Sequence, residues 1–364
     1  MNIWIIAENW PPRVGGIERY ITGIAESLAK HEHDITVFAP PGSAKMSGVS
    51  VIASRIFWPI IKPSWMPFAL YLLVRAMMQK PDAIICGKTL FEGRVARIVK
   101  KILGAPYIVC TYGMEIATWK SNIKTSTQAS HVLHDAAFVL VMNKQTKESV
   151  ITLGAHEERV MFMYPGIDTD KLDQKNNPDD VLKKYDITAP YILTVSRLVK
   201  RKGIDDLLRA MAIIKKSIVV VGDGPERSNL EQLAQKLDID AKFLGAISDE
   251  DVHALYSRAQ LFALTPKELP GDYEGFGIVY NEAAYFGLPV IGTNTGGVPE
   301  AVQDGVTGIL AQPGDTTSIS QAITTLLENP DKAKHYGEMG KQRVTAEFTW
   351  NSIIGSLEDI LTSL

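Results

Sequence analysis

Two glutamates, Glu274 and Glu282, stand eight positions apart in the stretch EGFGIVYNEAAYFGLPVIGTNTGGVPE. A carboxylate accepts hydrogen bonds from two hydroxyls at once, so Glu282 suits the hydroxyls of a sugar or a ribose. Glu282 falls inside a mostly apolar helical segment, where a buried carboxylate is costly unless it is paired or hydrogen-bonded. An internal salt bridge and simple exposure to solvent are the alternatives for Glu282.

Glycines surround the start of that helix, which we predict from about Gly277 to Phe286, with Gly287 as its C-terminal cap. The amides of a first helical turn have no intrahelical partner and carry partial positive charge. Glycine also lets a phosphate approach the backbone closely. The sequence therefore predicts an anion site at the amides of Phe276, Gly277 and Ile278.

Two cations follow the predicted strand YILTVS. Arg197 comes directly after it, and Lys202 lies five residues later at a predicted helix start. Two cations beside a helix N-terminus can neutralise a diphosphate leaving group. We interpret the neighbouring Lys200 and Arg201 as solvated surface charges. Gly222, in the turn after the strand SIVVV, fits a loop beneath a nucleotide.

Asp249 and Asp251 form D-x-D, a spacing that can hold a divalent metal. Ser248 stands directly before them, and a serine followed by acidic residues is typical of a helix cap and first turn. We favour the cap, and predict no required metal and no bound cofactor.

The first half of the chain opens with the apolar run NIWIIAEN, then Gly15 and Gly16, then a helical pattern. This pair lacks the G-x-G-x-x-G spacing of dinucleotide-binding folds, which argues against a nicotinamide-dependent enzyme. Short apolar runs alternate with helical patterns throughout the chain, which predicts parallel sheets covered by helices. We expect Rossmann-like domains at residues 1–167 and 168–346, and a last helical segment, 347–364, that packs back on the first domain.

The stretch EGFGIVYNEAAYFGLPVI followed by GGVPEAV resembles the E-x7-E signature of retaining glycosyltransferases of family 4. Residues 197–203 are similar to that family's R-L-x-x-x-K-G pattern. The resemblance covers essentially the whole chain and implies the GT-B fold, an α/β architecture of two Rossmann-like domains whose parallel sheets face across a cleft. Domain closure on donor binding would then be expected.

By this resemblance, Glu274 contacts the hydroxyls of the donor sugar and Glu282 the ribose of its nucleotide. The Gly15–Gly16 loop would lie against the donor diphosphate and shape the acceptor pocket. Many family members carry a histidine, which contacts the donor sugar, where Tyr112 stands in TYGMEIATW. Tyr112 or Glu115 is expected to take part of its role on the acceptor or sugar side.

Composition supports a globular protein of about two domains, since 46% of the 364 residues are hydrophobic and 22% are charged. The net charge of −3 implies no bulk affinity for nucleic acid. Cys86 and Cys110 each end an apolar run, as small core residues do. The first residues lack the basic region of a signal peptide, and no apolar run reaches 18 residues, so we expect a cytoplasmic protein.

Peripheral contact with the inner face of the cell membrane is a further expectation. The segment Ile56–Met78 mixes aromatic residues with Lys62 and Arg75, and RVARIVKK, at 94–101, places four cations on an amphipathic helix. Such segments suit a membrane interface. Core packing with a solvated basic face is the alternative, and the resemblance favours the membrane because many family members use lipid-linked acceptors.

The resemblance to family 4 implies a transferase that moves a hexose from a nucleotide diphosphate sugar to a hydroxyl of a lipid or glycan, with retention of anomeric configuration, and we expect it to be independent of a metal. The block GDYEGFGIVYNEA looks most like bacterial mannosyltransferases of lipid and polysaccharide assembly, which favours GDP-mannose. UDP-glucose, UDP-galactose and UDP-GlcNAc remain alternatives. So do an epimerase on the same fold and a non-catalytic nucleotide-sugar-binding scaffold. The oligomeric state stays open.

Overall fold

A computed structural model describes residues 1–13, 15–57 and 65–364. The chain divides into two compact units. The first unit contains Met1–Gly166 together with Trp350–Leu364, and the second contains Ile167–Thr349. The chain therefore leaves the first unit after Gly166 and returns to it at Trp350.

The first unit is built on a seven-stranded parallel sheet, ordered β3-β2-β1-β4-β5-β6-β7 in the described part of the chain. Its central strands are buried and almost entirely apolar, as expected where helices cover both faces of such a sheet. The strands are β1 (Asn2–Ile6), β2 (Asp34–Ala39), β3 (Ser50–Ala53), β4 (Ala83–Cys86), β5 (Tyr107–Thr111), β6 (Phe138–Val141) and β7 (Val160–Phe162).

The helices of this unit follow the strands in sequence, as the alternating pattern predicted. They are α1 (Gly16–Lys30), α2 (Trp65–Gln79), α3 (Phe91–Leu103), α4 (Met114–Lys120), α5 (Ile123–Asp135), α6 (Lys144–Thr152) and, from the end of the chain, α16 (Trp350–Thr362). Helix α16 packs on α1. A Cβ atom on Gly23 of α1 would lie 2.0 Å from the indole of Trp350, so only glycine admits this approach.

The second unit contains a six-stranded parallel sheet with the order β10-β9-β8-β11-β12-β13. Its strands are β8 (Ile192–Val195), β9 (Ile218–Val221), β10 (Ala241–Gly245), β11 (Leu261–Ala263), β12 (Val290–Thr293) and β13 (Gly308–Ala311). Its helices are α7 (Thr169–Asp173), α8 (Pro178–Lys184), α9 (Ile204–Ile214), α10 (Arg227–Lys236), α11 (Asp249–Tyr256), α12 (Ile278–Tyr285), α13 (Val298–Ala301), α14 (Thr316–Glu328) and α15 (Pro330–Glu347).

Most predicted elements are present within one or two residues of their expected ends. The helix expected from about Gly277 to Phe286 is α12, and Gly287 follows it in the left-handed conformation. Strand β3 was not predicted, since its short segment carries little periodicity. Trp58 and Lys62, part of the predicted membrane-facing segment, lie outside the described residues. Within the described ranges, no helix is long and apolar enough to cross a membrane.

Candidate functional site

The sheet of the second unit reverses its strand order between β8 and β11. Ligands of open α/β sheets bind outside the carboxyl ends of the strands, at the point where the order reverses. Arg197 and Lys202 follow β8, and Glu274 follows β11. The predicted cations and the predicted carboxylate therefore flank the reversal point of one sheet.

An ion cluster joins these two loops. Oε2 of Glu274 accepts a hydrogen bond from Nη1 of Arg201 at 2.7 Å and another from Nζ of Lys202. The Arg201 guanidinium also reaches Asp272, with 3.2 Å between Nε and Oδ1. Arg201, Lys202 and Glu274 are all buried, whereas Asp272 is half-exposed.

Glu274 remains ionised in this cluster despite its burial. Burial alone would raise the pKa of its carboxyl group, but Lys202 and Arg201 outweigh that effect and lower the pKa below its ordinary value. The buried Glu274 carboxylate is therefore compensated by two cations. Its second oxygen, Oε1, takes no part in either of these two contacts.

The interpretation of Arg201 as a solvated surface charge is wrong. Only 7% of its surface is exposed, and it holds two carboxylates. The run Lys200–Lys202 forms a 3₁₀ turn, which directs Arg201 and Lys202 toward the loop after β11 while Lys200 stays exposed. Arg197 is exposed at the end of β8, and it lies near enough to Lys202 to affect the pKa of that ammonium group. No local pattern distinguishes Arg201 from its neighbours, so sequence reasoning missed it.

Close backbone approach holds the two loops in place. Gly203 has φ +63°, and a Cβ atom there would lie 1.8 Å from the carbonyl oxygen of Thr265. The Thr265 hydroxyl in turn donates to the carbonyl of Gly203 at 2.9 Å. The backbone carbonyl of Glu274 also accepts a hydrogen bond from the amide of Gly297, in the loop after β12, at 2.8 Å. The backbone, rather than side-chain packing alone, positions the ion cluster.

The predicted anion site lies directly after the cluster. Gly277 caps α12 with φ +84°, so the amides of Phe276, Gly277 and Ile278 lie at the N-terminal end of this helix. That end carries positive partial charge from the helix dipole. A phosphate bound there would accept from these backbone amides, and the loop after β8 could supply Arg197 and Lys202 as cations.

Glu282 lies on α12 and is buried. Oη of Tyr256, on α11, donates to its Oε2 at 3.3 Å. An exposed position for Glu282, one of the two alternatives, is therefore wrong. A carboxylate has two oxygens and can accept from more than one donor at a time.

Gly222 closes the site from the neighbouring strand β9. It has φ +119°, and a Cβ atom there would lie 1.9 Å from the carbonyl oxygen of Ser196, directly before Arg197. Gly224, two residues on, would similarly strike Leu198. The glycine loop after β9 thus packs tightly on the segment that carries Arg197.

Several buried polar groups around this edge have no hydrogen-bond partner in the described part of the chain. They are the hydroxyls of Ser196 and Thr295, which follow β8 and β12, and both polar atoms of the Asn281 side chain on α12. Buried polar groups in folded proteins are almost always hydrogen-bonded. A polar ligand at this edge of the sheet is consistent with these groups.

In the first unit, the sheet reverses its order between β1 and β4. Gly15 and Gly16 stand at the start of α1, after β1, and a Cβ atom on Gly15 would lie 2.5 Å from Oε2 of Glu18. Glu18 Oε1 also accepts from the side-chain amide of Asn9 at 2.5 Å. The Glu18 side chain therefore lies against both Asn9 and Gly15.

Tyr112 and Glu115 lie together after β5. The Glu115 carboxylate accepts from the backbone amide of Tyr112 at 2.9 Å, and burial raises its pKa although this hydrogen bond opposes the shift. The Tyr112 ring packs edge-on against Tyr20, and burial raises its pKa well above the ordinary value. Its hydroxyl is buried without a hydrogen-bond partner in the described ranges, so it can serve as a neutral donor and not as a base.

Glu92 is a buried carboxylate that sequence reasoning missed. It is the second residue of α3 and is fully buried. Its carboxylate accepts hydrogen bonds from the backbone amides of Glu8 at 2.7 Å and Lys88 at 2.6 Å. Burial raises its pKa to about 8 against the effect of these two bonds. Glu8 and Lys88 follow β1 and β4, so Glu92 ties together the two loops at the reversal point of this sheet.

The prediction that Ser248 caps a helix is confirmed, since its hydroxyl accepts from the amide of Asp251 at 3.3 Å. Asp251 is buried and binds three side chains, those of Asn176, Lys184 and Tyr185. No group of three or more potential metal ligands occurs among the residues that the structure describes. Independence from a metal stays a prediction.

Comparison with known proteins identifies both halves of the chain. Residues 14–171 match the family model "Glycosyltransferase Family 4", and residues 179–343 match "Glycosyl transferases group 1". A curated relative, the GDP-mannose-dependent alpha-(1-6)-phosphatidylinositol monomannoside mannosyltransferase of Mycobacterium tuberculosis, is 26% identical over 391 residues, covering 99% of this chain and 98% of the relative.

Solved structures share the fold along the whole chain. Sucrose-phosphate synthase from Thermosynechococcus elongatus superimposes with a TM-score of 0.82 at 22% identity, covering 100% of this chain and 99% of that one. HepE of Anabaena, in complex with UDP and glucose, gives a TM-score of 0.80 at 22% identity and covers 100% of both chains. The predicted GT-B fold, with two Rossmann-like domains, is confirmed.

Proposed function

Because the chain belongs to the glycosyltransferases, with one domain of family 4 and one of group 1, we propose that it is a retaining, metal-independent hexosyltransferase. It moves mannose from GDP-mannose to a hydroxyl of a lipid or glycan acceptor. The name of the mycobacterial relative, which is GDP-mannose-dependent, supports this donor. A UDP-hexose is the second candidate, since HepE is solved with UDP and glucose.

The observation that carries the proposal is the buried ion cluster at the reversal point of the second sheet. Two cations and a carboxylate converge there beside the N-terminal end of α12. The cations and helix amides suit a diphosphate, and carboxylate oxygens suit sugar hydroxyls. A nucleotide diphosphate sugar combines these groups in one molecule, and the proposed contact of Glu282 is the ribose.

In the proposed reaction, the bond between the anomeric carbon and the diphosphate breaks while the acceptor oxygen attacks from the same face. Arg197, Lys202 and the amides at the start of α12 stabilise the negative charge that develops on the departing diphosphate. A diphosphate oxygen accepts the proton of the acceptor hydroxyl, so no protein base is needed. This role of the leaving group is consistent with a Tyr112 that is too basic to be ionised near neutral pH.

The proposal is tested by donor turnover and product analysis. The purified protein is incubated with GDP-mannose and, separately, with UDP-glucose, UDP-galactose and UDP-GlcNAc, each with and without EDTA and a hydroxyl acceptor. Release of nucleoside diphosphate from one donor, unaffected by EDTA, is expected. A free sugar or glycoside of retained configuration supports the transferase, whereas a changed sugar still bound to nucleotide indicates an epimerase. Nucleotide binding without any product indicates a scaffold.

We also propose that the first unit contacts an anionic lipid surface through α2 and the end of α3. Helix α2 packs on α3 and exposes a stripe of large apolar side chains spaced three or four residues apart, namely Met66, Leu70, Val74, Met77 and Met78. Ile102 and Leu103, at the end of α3, are also exposed. Arg94, Lys100 and Lys101 accompany them on α3, and cations beside an apolar stripe suit anionic headgroups.

Sedimentation with vesicles of phosphatidylglycerol or of phosphatidylcholine tests this contact. Binding to the anionic vesicles is expected, and Leu70→Glu together with Met78→Glu should abolish it. Ile213→Glu, which changes an exposed apolar residue of the second unit, is the matched control and should bind as the wild type does. Equal binding by all variants, or none by the wild type, would exclude this surface.

A further inference from the structure

Arg201 differs from Lys202 in how it is held. Its Nη1 contacts Glu274 and its Nε contacts Asp272, so its guanidinium spans two carboxylates. Its backbone carbonyl also accepts from the amide of Lys267 at 2.8 Å. The ammonium group of Lys202, by contrast, donates to one acceptor in the described part of the chain, which is Oε2 of Glu274. Arg201 is tied to the loop after β11 at three points and cannot leave it without breaking all of them.

The proposed reaction requires Lys202 to bind phosphate, and this creates an electrostatic problem. When the Lys202 ammonium moves toward a diphosphate, Glu274 loses one of the two cations that keep it ionised. A buried charge without a partner is strongly destabilised. Some other cation must then balance Glu274 throughout the reaction.

We propose that Arg201 is a positioning residue: it remains on Glu274 while Lys202 exchanges from Glu274 to the donor diphosphate. This inference rests on the proposed function. Arg201 itself contacts neither the donor nor the acceptor. It keeps the Glu274 carboxylate charged and oriented, with Oε1 turned away from the shared Oε2 contacts and available to a sugar hydroxyl.

The charged and titratable groups that face Glu274 come from three segments. The loop after β8 contributes Arg201 and Lys202, and Arg197 acts on Lys202. Asp272 lies on the same loop as Glu274, and Tyr280 of α12 is affected by the Glu274 charge. Among these groups, and within the part of the chain that the structure describes, only Arg201 and Lys202 form ion pairs with the Glu274 carboxylate.

This role predicts a defined pH effect. Burial raises and the two cations lower the pKa of Glu274, with the cations prevailing. A depressed carboxyl pKa means that the ionised, active form is present above that pKa and is lost as the pH falls through it. Removing Arg201 leaves burial opposed by a single cation, so the pKa of Glu274 rises. The acid limb of the turnover profile must then shift to higher pH.

The test compares Arg201→Met, Arg201→Lys and the wild type in donor turnover and in binding of nucleoside diphosphate, each across pH. For Arg201→Met we expect kcat to fall about 10- to 100-fold, which is the effect on a rate of losing one charged hydrogen bond. The acid limb of the profile should move to higher pH by about one unit or more. The dissociation constant of the diphosphate should rise, because Lys202 is then the remaining cation on Glu274 and leaves it only at the cost of a buried, unpaired carboxylate. Arg201→Lys keeps the charge and should restore the acid limb.

The matched control is Arg258→Met, which removes an exposed arginine that pairs with Asp179 at 2.7 Å. It should leave both profiles unchanged. A lower kcat in Arg201→Met with an unmoved acid limb, or no recovery in Arg201→Lys, would overturn the positioning role and leave Arg201 a purely structural residue.

A second readout does not depend on activity. Melting temperature is measured against pH for the wild type, Arg201→Met, Glu274→Gln and the double variant. The acid limb of stability should move upward in Arg201→Met, and this movement should vanish when Glu274 is already Gln. If the wild type turns over no donor but this shift occurs, the proposed function fails and the electrostatic role of Arg201 stands. If turnover occurs without the shift, the role of Arg201 fails alone.

Discussion

Glu274→Gln is the substitution with the most distinctive expected result. The change keeps the shape of the side chain and removes its charge, so Arg201 and Lys202 lose their shared carboxylate. Removing one partner from a buried ion pair costs about 3–5 kcal/mol. Arg201 keeps its contact with Asp272, which places the expected loss near the lower end, about 3 kcal/mol. For a domain of this size, that corresponds to a melting temperature roughly 6–12 °C lower.

The same variant should bind nucleoside diphosphate as tightly as the wild type or more tightly. In the wild type, a diphosphate must draw Lys202 away from Glu274, whereas in Glu274→Gln the ammonium is already released and its positive charge is uncompensated. Two unit charges 4 Å apart interact by about 4 kcal/mol at an effective dielectric constant of 20, so even partial compensation is measurable. Added GDP should therefore raise the melting temperature of the variant more than that of the wild type.

Turnover should respond in the opposite direction. Without the carboxylate, the hydroxyls of the donor sugar lose a charged acceptor, and we expect donor turnover to fall about 100-fold or more. The assay pairs thermal melting and calorimetric titration of GDP and UDP with the release of diphosphate from the accepted donor. Glu268→Gln, an exposed residue of the same loop, is the control and should behave as the wild type.

Weaker diphosphate binding by Glu274→Gln would refute the reasoning, because it would mean that the carboxylate supports rather than competes for the phosphate site. An unchanged melting temperature in Glu274→Gln would equally contradict the described ion cluster of Arg201, Lys202 and Glu274.

Three further predictions concern other parts of the chain. Glu282→Ala should weaken nucleoside diphosphate binding about 10- to 100-fold, measured by calorimetry, because ribose hydroxyls lose a charged acceptor. Asp251→Asn should lower the melting temperature and leave any response to EDTA unchanged. The pKa of Asp251 is lowered to about 2 despite burial. In acid titrations of the wild type, the contribution of Asp251 to stability should therefore be present above the ordinary carboxyl pKa and lost as the pH falls through about 2. Gly23→Ala should destabilise the first unit in thermal melts, since its Cβ would lie 2.0 Å from Trp350; Gly355→Ala, which meets nothing within 4 Å, is its control.

Much of the architecture could be predicted because strands and helices follow from patterns of residue types within a few positions of the sequence. Buried parallel strands read as continuous apolar runs, and the helices between them show their own period and caps. The cap at Ser248 needed only the three residues after it. Gly287 likewise ends α12 for a reason local to the chain, a left-handed backbone that glycine adopts freely.

Arg201 shows where such reasoning ends. Its partner Glu274 is 73 residues away, and nothing near Arg201 in the chain distinguishes it from a solvated cation. Glu92 presents the same difficulty, since it accepts from an amide 84 residues away and one only four away. In both cases the carboxylate and its partners follow strands that become neighbours only once the sheet has formed.

The sequence by itself determined the alternation of strands and helices, the glycine-flanked start of α12 and the presence of two glutamates suited to sugar hydroxyls, because these depend on residue types within a few positions. Tertiary structure alone decided which cations the buried Glu274 takes as partners. That choice follows from the strand order, which places the loops after β8 and β11 side by side. Burial then favours the pairing strongly, since a carboxylate removed from water must be paired with a cation, hydrogen-bonded or protonated.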